Sequence, residues 1–152
     1  MKNRKSAFTM IELVFVVVII GILAAVAIPR LSATRDDAVI TKARTTVASV
    51  RNALAMERQK RILRGDFTKI TSVGTSGVNT FDVFSADKDG NRANVLEYPI
   101  VSSTDKGKWD FNETNTNEYT FHMLGDVGFK IDNNGRFVCV DNNSSECKTL
   151  TN

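Results

Sequence analysis

Hydrophobic and polar positions divide this chain into three regimes. Residues 8–28 are apolar except for Glu12. At about 1.5 Å rise per residue this run spans roughly 30 Å, the thickness of a bilayer core, and predicts a membrane-length helix. From Pro29 to Arg64 the pattern becomes amphipathic. Ile40, Ala43, Val47, Val50 and Leu54 recur at three and four residues, which places them on one helix face. Arg64-Gly65-Asp66 is a stop signal, with basic residues in the last turn and a glycine after it. A continuous helix over 8–64 would be roughly 85 Å long.

Residues 66–107 are rich in Gly, Ser, Thr, Asn and Asp. They read as a long connector with short structured pieces near 81–84 and 95–101. Strand candidates follow at 118–123, 127–132 and 136–140. Gly125-Asp126 and Asn133-Asn134-Gly135 supply the turns between them. Tyr119, Phe121, Phe129, Ile131 and Val138 are the expected inward positions, and Trp109 is expected to pack in the core. The fold class is α+β: a long N-terminal helix, half transmembrane and half amphipathic, packed on a small antiparallel β-meander head. No internal repeat is visible.

Charge orients this arrangement. Lys2, Arg4 and Lys5 precede the apolar run, and basic flanks stay cytoplasmic. The bulk of the chain is then expected outside the cytoplasm, carried on a single-pass anchor. Cys139 and Cys147 lie in that exported part and are the only cysteines. An even pair there is most simply a disulfide. A zinc site needs more ligands than these two and His122. Residues 30–64 carry nine basic and three acidic side chains, and residues 65–152 carry eight basic and thirteen acidic ones. A basic stem and an acidic head suit complementary packing between subunits, or a plainly solvated helix face. The acidic head argues against general nucleic-acid binding.

Glu12 is the anomaly. An ionised carboxylate in hydrocarbon is costly, rare and normally paired. An ordinary secretory signal, cut after the small residues Ala24-Ala25-Val26-Ala27, would leave Glu12 without a role.

The string Ala7-Phe8-Thr9-Met10-Ile11-Glu12-Leu13 resembles the processing site of type IV prepilins and type II secretion pseudopilins. The family pattern is a small residue, then Phe-Thr-x-x-Glu, then an apolar helix. Gly21 and Pro29 fall where the family places its helix-weakening glycine and proline. The resemblance covers about 6–31, with one departure: Ala7 stands where the family usually has glycine. It implies cleavage by a prepilin peptidase between Ala7 and Phe8, and N-methylation of Phe8. It also implies polymerisation from the inner membrane, with an inner-membrane platform protein and an assembly ATPase as partners. Glu12 would then meet the Phe8 amine of a neighbouring copy as an assembly device. The implied parts are a leader (1–7), a transmembrane and assembly helix (8–29), an amphipathic stem (30–64) and a globular head (65–152). Loss of the leader removes the positive excess and leaves 17 basic against 17 acidic residues.

Weaker signals remain. Asp87-Lys88-Asp89-Gly90-Asn91 resembles the opening of a calcium loop, so Asp87, Asp89 and Asn91 are weak calcium candidates. The glycine falls too early for an EF-hand, and a polar turn is the plain alternative. Residues 110–114 and 141–145 fit an acid-x-Asn-x-Ser/Thr glycosylation pattern. No enzyme signature and no further cofactor site is visible, and the lone His122 reads as structural.

The leading expectation is therefore a structural subunit of a pilus or pseudopilus. The alternatives are a minor pilin or DNA-uptake component, a membrane-anchored binding protein that does not polymerise, and a secreted enzyme with an ordinary signal.

Overall fold

The computed structural model describes residues 8–75, 79–111, 118–123 and 125–151. The leader, with Ala7, and most of the 110–114 glycosylation pattern lie outside them. Helix α1 runs over Met10–Leu63, followed by strands β1 (Asn79–Thr80) and β2 (Ile100–Val101). Strands β3 (Trp109–Phe111), β4 (Glu118–Phe121), β5 (Val127–Ile131) and β6 (Phe137–Cys139) come next, and helix α2 (Ser145–Thr151) closes the chain. The chain divides into two compact units, Met1–Ala38 and Val39–Asn152.

In the first unit, α1 continues through Pro29. Its apolar side chains from Met10 to Ile28 are nearly all exposed. Among the described residues this is one helix long and apolar enough to cross a membrane.

In the second unit, the predicted helix face is the buried one. Ala43, Val47, Val50 and Leu54 are buried, and Ile40 packs beside them. Full burial of such an aliphatic side chain contributes about 1.5–3 kcal/mol. The helix ends as its sequence predicts. Gly65 takes a left-handed φ of 71°, its N–H donates to Ile62 O, and Asp66 N–H donates to Arg61 O. This is a Schellman cap, which glycine adopts without a Cβ clash.

The covering sheet is the antiparallel meander β3-β4-β5-β6. Its inner face alternates through Trp109, Phe111, Tyr119, Phe121, Val127, Phe129, Ile131, Phe137 and Cys139, all buried. Two features differ from the sequence reading. The sheet has a fourth strand, β3, whose Trp109 pairs with Phe121. Val138 is also not an inward residue: Phe137 pairs with Ile131 and Cys139 with Phe129, so the intervening Val138 turns to the other face with Lys130. A one-residue slip in a strand inverts every side chain.

Phe81 lies fully buried at the centre of the aromatic cluster. Its ring centroid is 5.2 Å from those of Trp109 and Tyr119 and 5.7 Å from that of Phe137. It holds a φ of 57°, unusual for a bulky residue, so ring packing fixes a backbone state that local preference opposes.

Within the connector β1 pairs antiparallel with β2 and Val83 bridges Asn94, and aspartates hold the rest of its course. Asp66 Oδ1 accepts the N–H and hydroxyl of Thr68, and Oδ2 accepts Lys88 N–H. Asp82 accepts the N–H and hydroxyl of Thr75. From α1, Arg61 is 1% exposed, pairs with Glu57 at 3.0 Å and donates to the carbonyls of Ser85 and Ala86. It thereby ties the helix end to the connector.

Cys139 and Cys147 form the expected disulfide, with Cα atoms 6.2 Å apart. It ties the tail to the last strand, as expected, and the tail is the helix α2, which the sequence reading did not anticipate. Ser144 caps α2 by accepting Cys147 N–H.

Two predictions follow from this packing. Replacing both cysteines by alanine removes a short closed loop and lowers stability by about 2–3 kcal/mol. The check is the thermal midpoint of the detergent-solubilised full chain, and an unchanged midpoint would refute it. The second concerns acid. The Thr68 hydroxyl and N–H hold the Asp66 carboxyl down from 3.8 to about 2. A depressed folded pKa gives stability that is present above the unfolded value and lost as pH falls through the folded one. Melting temperature should therefore fall between about pH 4 and about pH 2. Asp66→Asn should lower it at neutral pH and flatten that part of the acid fall.

Candidate functional site

The N-terminus of α1 brings Phe8, Thr9 and Glu12 together. Thr9 precedes the first helical residue, and Glu12 is the third residue inside. Glu12 Oε2 accepts the Thr9 N–H at 2.9 Å and the Thr9 hydroxyl at 2.8 Å. In return Thr9 Oγ1 accepts the Glu12 N–H at 3.4 Å. This is a reciprocal capping box. It satisfies amides that the first helical turn leaves without intrahelical partners. The carboxylate also sits at the positive end of the helix dipole.

The carboxylate is therefore already engaged within a single chain. Both of these bonds go to Oε2, and Oε1 accepts no hydrogen bond among the described residues. Phe8, Ile11, Phe15 and Val16 border Glu12 in a shallow, open, largely apolar hollow. Phe8 is 78% exposed. The arrangement is a fixed, singly committed carboxylate on an uncovered apolar helix end. It can receive a cation, and no acid–base partner adjoins it among the described residues.

The sequence reading singled out Glu12 and missed Thr9. The signal was present, since Thr-x-x-Glu before an apolar run is the capping-box pattern. Gly21 and Pro29 both lie inside the continuous helix, and a Cβ at Gly21 would meet open space.

The other candidates lie in the second unit. Asp87 Oδ1 accepts the N–H groups of Asp89 and Asn91, and its Oδ2 faces Arg64 Nη2 at 3.7 Å. Burial pushes this carboxyl up, but the Asn91 and Asp89 amides outweigh it and hold it below the usual range. The segment is thus a polar turn through Gly90, with a cation already beside it. Among the described residues no cluster of three or more His, Cys, Asp or Glu is placed to hold a metal. His122 Nδ1 lies 2.9 Å from Asp126.

Residues 2–28 match the family model described as the prokaryotic N-terminal methylation motif. The chain is 37% identical over 87 residues to the type IV narrow pilus major component PilA5 of Thermus thermophilus, covering 57% of this chain and 63% of that protein. It is 40% identical over 55 residues to type II secretion system core protein G of Aeromonas hydrophila, covering 36% of this chain and 38% of that one. The same protein of Pseudomonas aeruginosa is 40% identical over 55 residues, 39% of its length. The chain thus spans less than two thirds of each of these relatives. No solved structure matches it.

The capping box makes a direct prediction. Thr9→Ala should speed amide hydrogen exchange at Glu12 about fivefold, the size of a typical N-cap contribution, and Thr9→Ser should not. The full chain in detergent micelles is the sample, and equal exchange in both variants would remove the box from the account.

The chain thus carries the prokaryotic N-terminal methylation motif on its apolar helix, and over part of its length it is similar to a type IV pilus component and to type II secretion core proteins.

Proposed function

We propose that this chain is a structural subunit that polymerises from the inner membrane into a type IV pilus or type II secretion pseudopilus. The observation that carries the reading is the uncovered apolar half of α1, closed at its start by Glu12. Among the described residues of the first unit none buries those side chains, so lipid or other helices must. A bilayer covers them in the single chain, and like helices cover them in a filament.

On this reading a prepilin peptidase cuts between Ala7 and Phe8 and the new Phe8 amine is methylated. The leader holds the N-terminus in the cytoplasm, and the head lies in the periplasm. The cleaved amine of one copy then pairs with Glu12 of the next. The capping box supports this step, because Oε2 stays with Thr9 while Oε1 meets the incoming cation. Removing one partner of a dry ion pair strands the other, which is why such a pair sets register. A platform protein and an assembly ATPase are the further partners this route requires.

Two measurements check the reading. Intact mass and N-terminal sequencing of protein from native membranes should give a chain that starts at methylated Phe8. A retained Met1 would favour a plain anchor, and a start after Ala27 would favour secretion. Glu12→Ala should abolish or misregister filaments while the disulfide-bonded head still folds. Normal filaments from that variant would overturn the assembly role.

A further inference from the structure

The second unit carries two apolar-floored grooves of opposite charge. The first, of about 400 Å³, is bounded by Arg51, Arg58 and Arg136 over Leu54, Ala55 and Phe137. Arg51 Nε donates to Phe137 O at 3.1 Å, and Arg58 Nη2 donates to Asn134 O. Edge strand β6 and the turn before it thus hold the two guanidinium groups in place. Neither forms an ion pair with a carboxylate among the described residues, whereas Arg136 is paired with Asp132 at 2.9 Å.

The second groove, of about 420 Å³, is bounded by Glu118, Asp126, Asp141 and Glu146 over Val127 and Val140. Asp126 faces His122, and Asp141 accepts the Asn143 N–H of its own turn. Glu118 and Glu146 form no ion pair among the described residues. Val140 is 45% exposed between them.

We propose that the arginine groove of one copy receives the carboxylate rim of the next copy. The inference rests on reading the chain as a polymerising subunit and adds the contact through which heads associate. Two uncompensated cations face two uncompensated carboxylates, and each pair borders apolar floor to bury. Charges disposed in this way select the partner and fix its register. The two patches differ, so the contact is heterologous and propagates as an open array unless its rotation closes. The larger charge pattern has the same sense: a balance of +6 over residues 30–64 and of −5 over residues 65–152.

The test is cross-linking of the full chain in its native membranes. Ala55→Cys lies on the arginine groove and Gly125→Cys beside the acidic rim, and neither removes a charge of the contact. The native cysteines are paired and do not compete. A chain carrying both substitutions, treated with a short bis-maleimide, should give a ladder of oligomers, and each single variant should give none. On that background Glu146→Arg should cut the ladder about tenfold, and adding Arg58→Glu should restore it.

No ladder, dimers from a single variant, or cross-links from position 55 to a different protein would each overturn the proposal. The same cells are scored for filaments. Filaments without the ladder sink the groove pairing and leave the assembly reading standing. A ladder together with normal filaments from Glu12→Ala sinks the Glu12 assembly step alone.

Discussion

The aliphatic stripe Ala43-Val47-Val50-Leu54 has to be kept from water, and the head is organised around that need. Four short strands supply an aromatic face that joins the stripe in one buried cluster. Strands of three to five residues give few ladder bonds, so side-chain burial carries most of the stabilisation. Phe81, Trp109 and Phe137 fill the middle. The long connector is then drawn over this core and held by Asp66, Asp82 and the buried Glu57–Arg61 pair. Removal of one member of that pair would leave a buried charge without a partner, a change that typically costs about 3–5 kcal/mol.

The first half of α1 has the opposite problem. Apart from Glu12 its surface is apolar over residues 10–28, and the described residues of its own unit do not cover it. Backbone satisfaction is what makes such a segment tolerable in lipid: an unbroken helix bonds its own amides, and only the first turn is left open. Thr9 and Glu12 close that turn. The carboxylate in the apolar run is thus part of the backbone's hydrogen bonding before it is anything else. This removes much of the apparent anomaly, since a capped helix end near an interface is far less demanding than an isolated charge in hydrocarbon.

Which parts were legible in the sequence follows from where the determinants lie. The helix, its buried face and its Gly65 stop were legible because period, stripe and cap are local. The turn at Asn133-Asn134-Gly135 and the cysteine pair were legible for the same reason. Strand β3 was not, because Trp-Asp-Phe is too short to show a period and is a strand only by pairing with β4. Val138 was misplaced because Phe137, Val138 and Cys139 are all apolar, and only the register with β5 tells them apart. Helix α2 was hidden in a polar tail whose helicity rests on a Ser144 cap and a disulfide. At the N-terminal site, Glu12 was conspicuous by its charge, while Thr9 was hidden by its ordinariness. The two arginine positions at the first groove read only as part of a basic stem until β6 and the turn before it fixed them beside Phe137 and Asn134.

That last placement separates two roles of charge that composition merges. Of the nine basic residues in 30–64, Arg61 is consumed inside the fold and Arg64 faces Asp87 across the helix end. Arg51 and Arg58 differ, because the fold orients them through carbonyl oxygens, which leave their charge uncancelled. A carbonyl fixes a guanidinium without neutralising it, and a carboxylate does both. An arginine held by carbonyls at a groove mouth is therefore set for an anion from outside. The acidic rim shows the same economy, with Asp141 committed to its turn and Glu118 and Glu146 left open. Net charge near zero in the processed chain is then no sign of electrostatic indifference. It conceals two opposed patches within the second unit, the arginine groove beside α1 and the carboxylate rim, and the contact proposed between copies weakens as salt screens it.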